Sequence, residues 1–329
     1  MLKFFRHSYL AQQIVIVVMA LVLWLPTFIT KSAILFGESK TPLYNIIVSA
    51  FSFSPLLIDI VAFAVFLICV FLFNSVLSAN RLVGKYSTVA ALSFVLMMCV
   101  SPELNMTFPF VFACPFILMA MHTLFLIYQT DNPENYMMNI GYFIAIASLF
   151  YYPSVFLMIW VLMSFMLFRF NTIRYMLIPL TGFMIVNAIV LGICFLTGSL
   201  TDLLASYSLF YKNMAFNYDL SDGNMIILLI STVLFVISLS RTVSNRNSDK
   251  GTNIRRRVGA AVILTLISVV MLFIQKPMMS NTLIFMMFAF FYAIALSDIR
   301  KSRIANVVMI VMTVIILVNQ YLPLFGIKI

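Results

Sequence analysis

The sequence predicts an all-α, polytopic membrane protein of about eleven transmembrane helices, N-terminus cytoplasmic and C-terminus outside. Three observations predict it. Hydrophobic residues make up 64% of the 329 and charged residues only 9%, against about 25% charged in soluble domains. The apolar residues fall in runs near the roughly 20 residues that cross a hydrocarbon core. Lys and Arg gather in alternate gaps between those runs, as their cytoplasmic preference requires.

Along the chain, the basic stub Met1-Leu2-Lys3-Phe4-Phe5-Arg6-His7 resembles the start of a secretory signal. No small-x-small cleavage pattern follows, so 10–30 reads as an uncleaved first span. Residues 31–54 then form a long outer segment that includes "ILFGESKTPLYNII" (34–47). They mix apolar and polar residues as an interfacial helix does. Spans at 55–78 and 88–102 flank an inner turn bearing Arg81 and Lys85. Spans at 108–128 and 138–152 flank an inner turn with Asp131 and Glu134. Pro153 interrupts the apolar stretch 138–168, which is either one kinked helix or two spans, 138–152 and 154–168. A span at 175–197 leads to the second long outer segment, 198–223, also expected to hold an interfacial helix. The remaining spans are 224–240, 258–275, 281–297 and 304–322.

Charge decides at Pro153. With two helices there, the inner side holds Lys3, Arg6, Arg81, Lys85, Arg169, Arg174, Arg241, Arg246, Lys250, Arg255, Arg256, Arg257, Arg300, Lys301 and Arg303. The outer side holds Lys31, Lys40, Lys212, Lys276 and Lys328, a split of 15 to 5 with every arginine inside. One helix would invert everything downstream and give 7 inside against 13 outside. Two helices win. The net charge of +10 is then mostly topology rather than a nucleic-acid surface. The inner loop "RTVSNRNSDKGTNIRRR" (241–257) is a stop-transfer signal that also suits anionic headgroups or a partner. With no repeat or linker, 1–329 reads as one membrane domain, with a helical core at 1–185 and further helices at 186–329.

Soluble-enzyme motifs such as GxxxxGK[ST], GxGxxG, HExxH and GxSxG do not occur. The four cysteines (Cys69, Cys99, Cys114, Cys194) lie singly in apolar runs and read as small hydrophobes. With only His7 and His122 besides, no metal site is expected. Asn105-Met106-Thr107 matches a glycosylation sequon, a short pattern. Of ten acids, six can face an outer cavity: Glu38, Asp59, Glu103, Asp202, Asp219 and Asp222. Asp59, just inside the second span, is a functional candidate because an ionisable group there needs a polar cavity or a partner. The alternative is that it pairs with Lys31 or Lys40, or caps its helix after Ser54-Pro55. His122, mid-span by count, and Asn74, Asn187 and Asn319 are expected to hydrogen-bond between helices.

Residues 73–104, "FNSVLSANRLVGKYSTVAALSFVLMMCVSPEL", place a basic inner turn before a short span that ends in Ser-Pro. "FPFVFACPFILMAMHTLFLIYQ", a polar inner turn and "IGYFIAIASLFYYPSVFLMIWVLMSFMLFRF" follow. Over about residues 1–185 this order resembles the core of polytopic C-type glycosyltransferases, which take sugars from polyprenyl-phosphate donors. It is also similar to a bacterial polytopic inner-membrane family that carries only a domain-of-unknown-function label. The resemblance implies a protein of the inner membrane and cell envelope, acting on lipid-linked saccharides at the outer face. It implies Glu38, in the first outer loop and followed by Tyr44, as the catalytic base. Asp59 and Glu103 would complete the site, and Lys31 and Lys40, or a divalent cation, would offset the donor phosphate's charge. The chain departs from the superfamily in that Glu38 has no adjacent second acid and no large outer domain follows.

Two other classes compete. A non-catalytic subunit or scaffold of an envelope-biogenesis complex would present a face to a protein partner. A transporter or flippase would place polar groups at mid-membrane depth, where the sequence offers His122, Asn187 and Asn319. An enzyme would fold both long outer segments over a cavity that contains Glu38.

Overall fold

A computed structural model describes residues 2–5, 10–29, 41–51, 54–100, 108–130, 132–212, 232–233, 235–237, 239–240, 252–274, 277–298 and 302–321. Among them the chain is all-helical, without strands. The helices are α1 (Leu2–Phe5), α2 (Leu10–Ile29), α3 (Pro42–Ala50), α4 (Pro55–Ala79), α5 (Val89–Met98), α6 (Phe108–Leu126) and α7 (Pro133–Phe150). A 3-10 turn, Tyr152–Phe156, leads to α8 (Leu157–Leu167), α9 (Ile173–Leu196), α10 (Leu200–Lys212), α11 (Thr252–Ile274), α12 (Pro277–Asp298) and α13 (Ser302–Tyr321). Among the described residues, four stretches are long and apolar enough to cross a membrane: Leu10–Ile29, Leu56–Ala79, Pro109–Leu126 and Ile173–Leu196.

Local chemistry sets the ends. Pro42, Pro55 and Pro133 open α3, α4 and α7, where a missing N–H costs nothing and φ is already helical. Helices α4 and α8 end alike. The N–H of Leu82 donates to the Leu77 carbonyl and that of Phe170 to the Phe165 carbonyl, each at 2.9 Å. Arg81 (φ 55°) and Arg169 (φ 67°) therefore hold the left-handed position that glycine usually takes. An arginine strains the backbone there, but its charge faces the negative end of the helix dipole.

The stretch 138–168 is two helices. Tyr151 breaks α7, and the Phe110 ring packs against Tyr151 at the start of α6. Leu167, at the end of α8, instead packs beside Gly259. That is two residues from Arg257, which grips the C-terminal ends of α4 and α6. The chain thus turns back at Pro153. Helices α7 and α9 run parallel in consequence. Arg174 meets Glu134 at 2.9 Å near their first turns, and further along Gly182 lies against the Met138 carbonyl and Gly141 against Pro179. A Cβ at Gly141 would overlap the Pro179 carbonyl oxygen, so only glycine permits this approach.

At the centre, every residue of α5 is buried, and so is each residue from Leu283 to Leu296 of α12. The segment expected as a span at 88–102 holds a short helix. Its helix has 10 residues, about half of what crosses a bilayer. Protein side chains satisfy its ends. At the N-terminal end the amide of Ala91 donates to Asn74 Oδ1, and the Thr88 amide donates to the Phe5 carbonyl. At the other end Gln320 donates to the Cys99 carbonyl at 2.8 Å and Asn319 to the Val100 carbonyl at 2.7 Å. A helix this short is stable in an apolar bundle because protein, not lipid, meets its terminal groups. Trp24, Phe63, Phe66, Phe94 and Phe73 link α2, α4 and α5 in one chain of rings.

Candidate functional site

The polar groups collect at the two ends of the bundle. At the first end, the two long segments expected on the outer side reach the same turn. Thr41, the N-cap of α3, donates its hydroxyl to the Phe150 carbonyl at 3.0 Å. That carbonyl is the last of α7 and would otherwise lack a donor. On the other side of the turn, Tyr207 of α10 lies 4.9 Å from the Tyr152 ring, centroid to centroid. Short helices thus occur in both segments, as expected, and both touch the break at Tyr151–Pro153.

Asp59 stands one turn into α4 and is 3% exposed. Tyr44, on α3, is 2% exposed and packs on Phe112. Burial, and secondly the negative charge of Asp59, push the Tyr44 phenol up to about 12. A phenol held neutral this firmly can only donate or accept a hydrogen bond at ordinary pH. Behind it, the Tyr151 phenol hydrogen-bonds with Thr282. The buried Ser154 hydroxyl has no hydrogen-bond partner among the described residues.

Of the residues the sequence singled out, the structure brings Asp59 and Tyr44 together. Glu38, Glu103, Lys31, Lys40, Asp219, Asp222, the sequon and most of the loop 241–257 lie outside the described residues, as do the side chains of Asp202 and Lys212. Glu38 precedes Thr41 by three positions in the sequence. Among the described residues no three His, Cys, Asp or Glu side chains come together to hold a metal ion, so the residues described offer no fit for a divalent cation.

The second end is basic. Arg257 is only 4% exposed. Its Nη1 donates to the Asn80 carbonyl at 2.8 Å, and its Nε and Nη2 donate to the Phe125 carbonyl at 3.3 and 3.1 Å. One guanidinium thereby closes the ends of α4 and α6. The Asn80 side-chain amide meets His122 Nδ1 at 3.3 Å. His122, in the last turns of α6 and beside the Arg257 cation, thus makes the bond between helices expected of it. The expectation for Asn187 is corrected, since its amide donates to Phe183 in its own helix. Asn74 and Asn319 do bond between elements. Cys69 Sγ donates to the Val111 carbonyl across α4 and α6 at 3.9 Å, and all four cysteines are free thiols.

The sequence reading missed Thr41, Tyr152, Tyr207 and Arg257. Only Thr41 carried a local signal, as a Thr-Pro helix start. The others depend on contacts 55 to 177 residues apart in the chain. No family model, no curated protein and no solved structure matches the chain.

Proposed function

We propose that the chain is a multi-pass protein of the bacterial inner membrane that transfers a sugar from a polyprenyl-phosphate donor at the outer face. The observation that supports this reading is the convergence of both long outer segments on the Tyr151–Pro153 turn, beside buried Asp59 and Tyr44. In this account eleven spans cross the membrane, with the N-terminus and the arginine-bearing end of the bundle in the cytoplasm.

Glu38 takes the proton from the acceptor hydroxyl as that oxygen bonds to the sugar's anomeric carbon. The bond from that carbon to the phosphate oxygen breaks, and polyprenyl phosphate leaves with the electron pair. Lys31 and Lys40 offset the charge on the leaving phosphate. Neutral Tyr44 donates a hydrogen bond to the sugar or phosphate, and Asp59 keeps the phenol protonated and in place. Purified protein mixed with its native lipid extract tests the reading. Consumption of a lipid-linked saccharide that stops in Glu38→Gln supports it, and equal consumption by the variant contradicts it.

One observation favours a second reading, a non-catalytic membrane subunit. Helix α9 packs mainly through its glycine contact with α7, leaving Met184, Ile189, Phe195 and Leu196 exposed on one long apolar surface. A partner helix packed on this face would bury it. The Glu38→Gln assay separates the two readings, because a scaffold tolerates that change.

A further inference from the structure

The basic end of the bundle holds more positive charge than its internal bonding uses. Arg257 spends its fork on two carbonyls, so its charge is hydrogen-bonded but not neutralised. The charge of Arg81, at the end of α4, acts on Arg257 from nearby. Arg256 lies over the Tyr128 ring, 4.5 Å from its centroid. Its Nη1 is shielded from solvent and has no hydrogen-bond partner among the described residues. Arg255, Arg256 and Arg257 occupy the first turns of α11, where the helix dipole adds further positive potential.

Among the side chains described no carboxylate is placed against these arginines, and Asp131, Asp249 and Asp298 lie outside those side chains. Asp59 sits near the start of α4 and Asn80 at its end, 21 positions apart, or about 30 Å at 1.5 Å per residue. Glu134 is committed to Arg174 at 2.9 Å. Like charges gathered at a bundle end, with a donor left unpaired, are stable when an anion joins them. A guanidinium held flat on a ring is oriented for hydrogen bonds to a phosphate.

We propose that Arg256 and Arg81 form a binding site for a phosphate group at the end of the bundle where Arg257 ties α4 to α6. The site is separate from the proposed catalytic end and does not depend on it. The chemistry suits the phosphate ester of an anionic lipid headgroup or a free phosphate. A lipid is well placed, because α4 and α6 are both long and apolar enough to lie in a bilayer. Arg257 is the positioning residue, since it ties the end of α4, next to Arg81, to the helix that carries Arg256.

Native mass spectrometry on the full chain in detergent micelles tests this, with phosphatidylglycerol and inorganic phosphate as probes. Wild type should bind phosphatidylglycerol, and Arg81→Gln/Arg256→Gln should bind it about tenfold more weakly, as loss of charge-assisted hydrogen bonds implies. Arg174→Gln removes one unit charge, at the Glu134 pair, and should change binding less than about twofold. Displacement of the lipid by millimolar inorganic phosphate would assign the site to free phosphate. Retention against phosphate would assign it to the headgroup. If the double Gln variant does not fold, Arg81→Lys/Arg256→Lys keeps the charge, loses the planar fork and should bind severalfold more weakly. The proposal is overturned if wild type binds neither probe, or if folded variants bind phosphatidylglycerol as wild type does.

Discussion

Arg257 shows how much one side chain can organise. Its three hydrogen bonds to the carbonyls of Asn80 and Phe125 join residues 132 and 177 positions away. Arg257→Met should lower stability by about 3 kcal/mol, because it leaves buried carbonyls without donors; thermal unfolding in detergent measures this. The sequence marks Arg257 only as the last base of a stop-transfer loop. Nothing local distinguishes it from Arg255, which is exposed. Tyr44 makes a second prediction, of pH dependence. Its folded-state value near 12 exceeds the unfolded value of about 10, so the folded chain holds this proton more tightly. The stability it contributes is complete below about pH 10 and falls as pH rises towards 12. Tyr44→Phe should remove that part of the alkaline decline, and Asp59→Asn should shrink it by removing the second cause of the shift. A decline identical in all three proteins would break the proposed link between Tyr44 and Asp59.

At the scale of elements, the crossing of α7 and α9 is the sharpest claim. Gly141→Ala would drive a Cβ into the Pro179 carbonyl, and Gly182→Ala would bring one within 2.5 Å of the Met138 oxygen. Each should destabilise by about 2 kcal/mol or more. Gly192, on the same helix, has nothing within 4 Å of its Cβ position. Gly192→Ala should therefore be neutral or stabilising by up to about 1 kcal/mol, and melting curves of the three variants check the order. Much at this scale was readable in the sequence. Pro153 and the charge count gave the reversal between α7 and α8, because proline breaks a helix and cations avoid one side. The shortness of α5 was not legible for a physical reason. Apolar runs show where a helix is buried but not whether lipid or protein meets its ends, and the capping amides Asn319 and Gln320 are more than 200 positions away.

For the whole molecule, the contacts place Phe5, Arg81, Arg174 and Arg257 at one end and Tyr44, Asp59 and the Tyr151–Pro153 turn at the other. Single-cysteine labelling in a cysteine-free background should give Lys85→Cys and Arg174→Cys the same accessibility from outside the cell, and Ser206→Cys the opposite. A shared response of Lys85→Cys and Ser206→Cys would break the two-sided arrangement. The candidate catalytic end was only partly legible. Asp59 could be named from the sequence, whereas its approach to Tyr44 and the meeting of α3 and α10 at one turn depend on how distant helices pack. The most direct test of the central claim compares wild type, a deletion and Glu38→Gln at matched expression, with polyprenyl-linked saccharides profiled by mass spectrometry. Accumulation of the same lipid-linked precursor in both mutants is the predicted result. A Glu38→Gln profile matching wild type, beside a deletion that changes the envelope, would contradict the enzyme and leave a scaffold in its place.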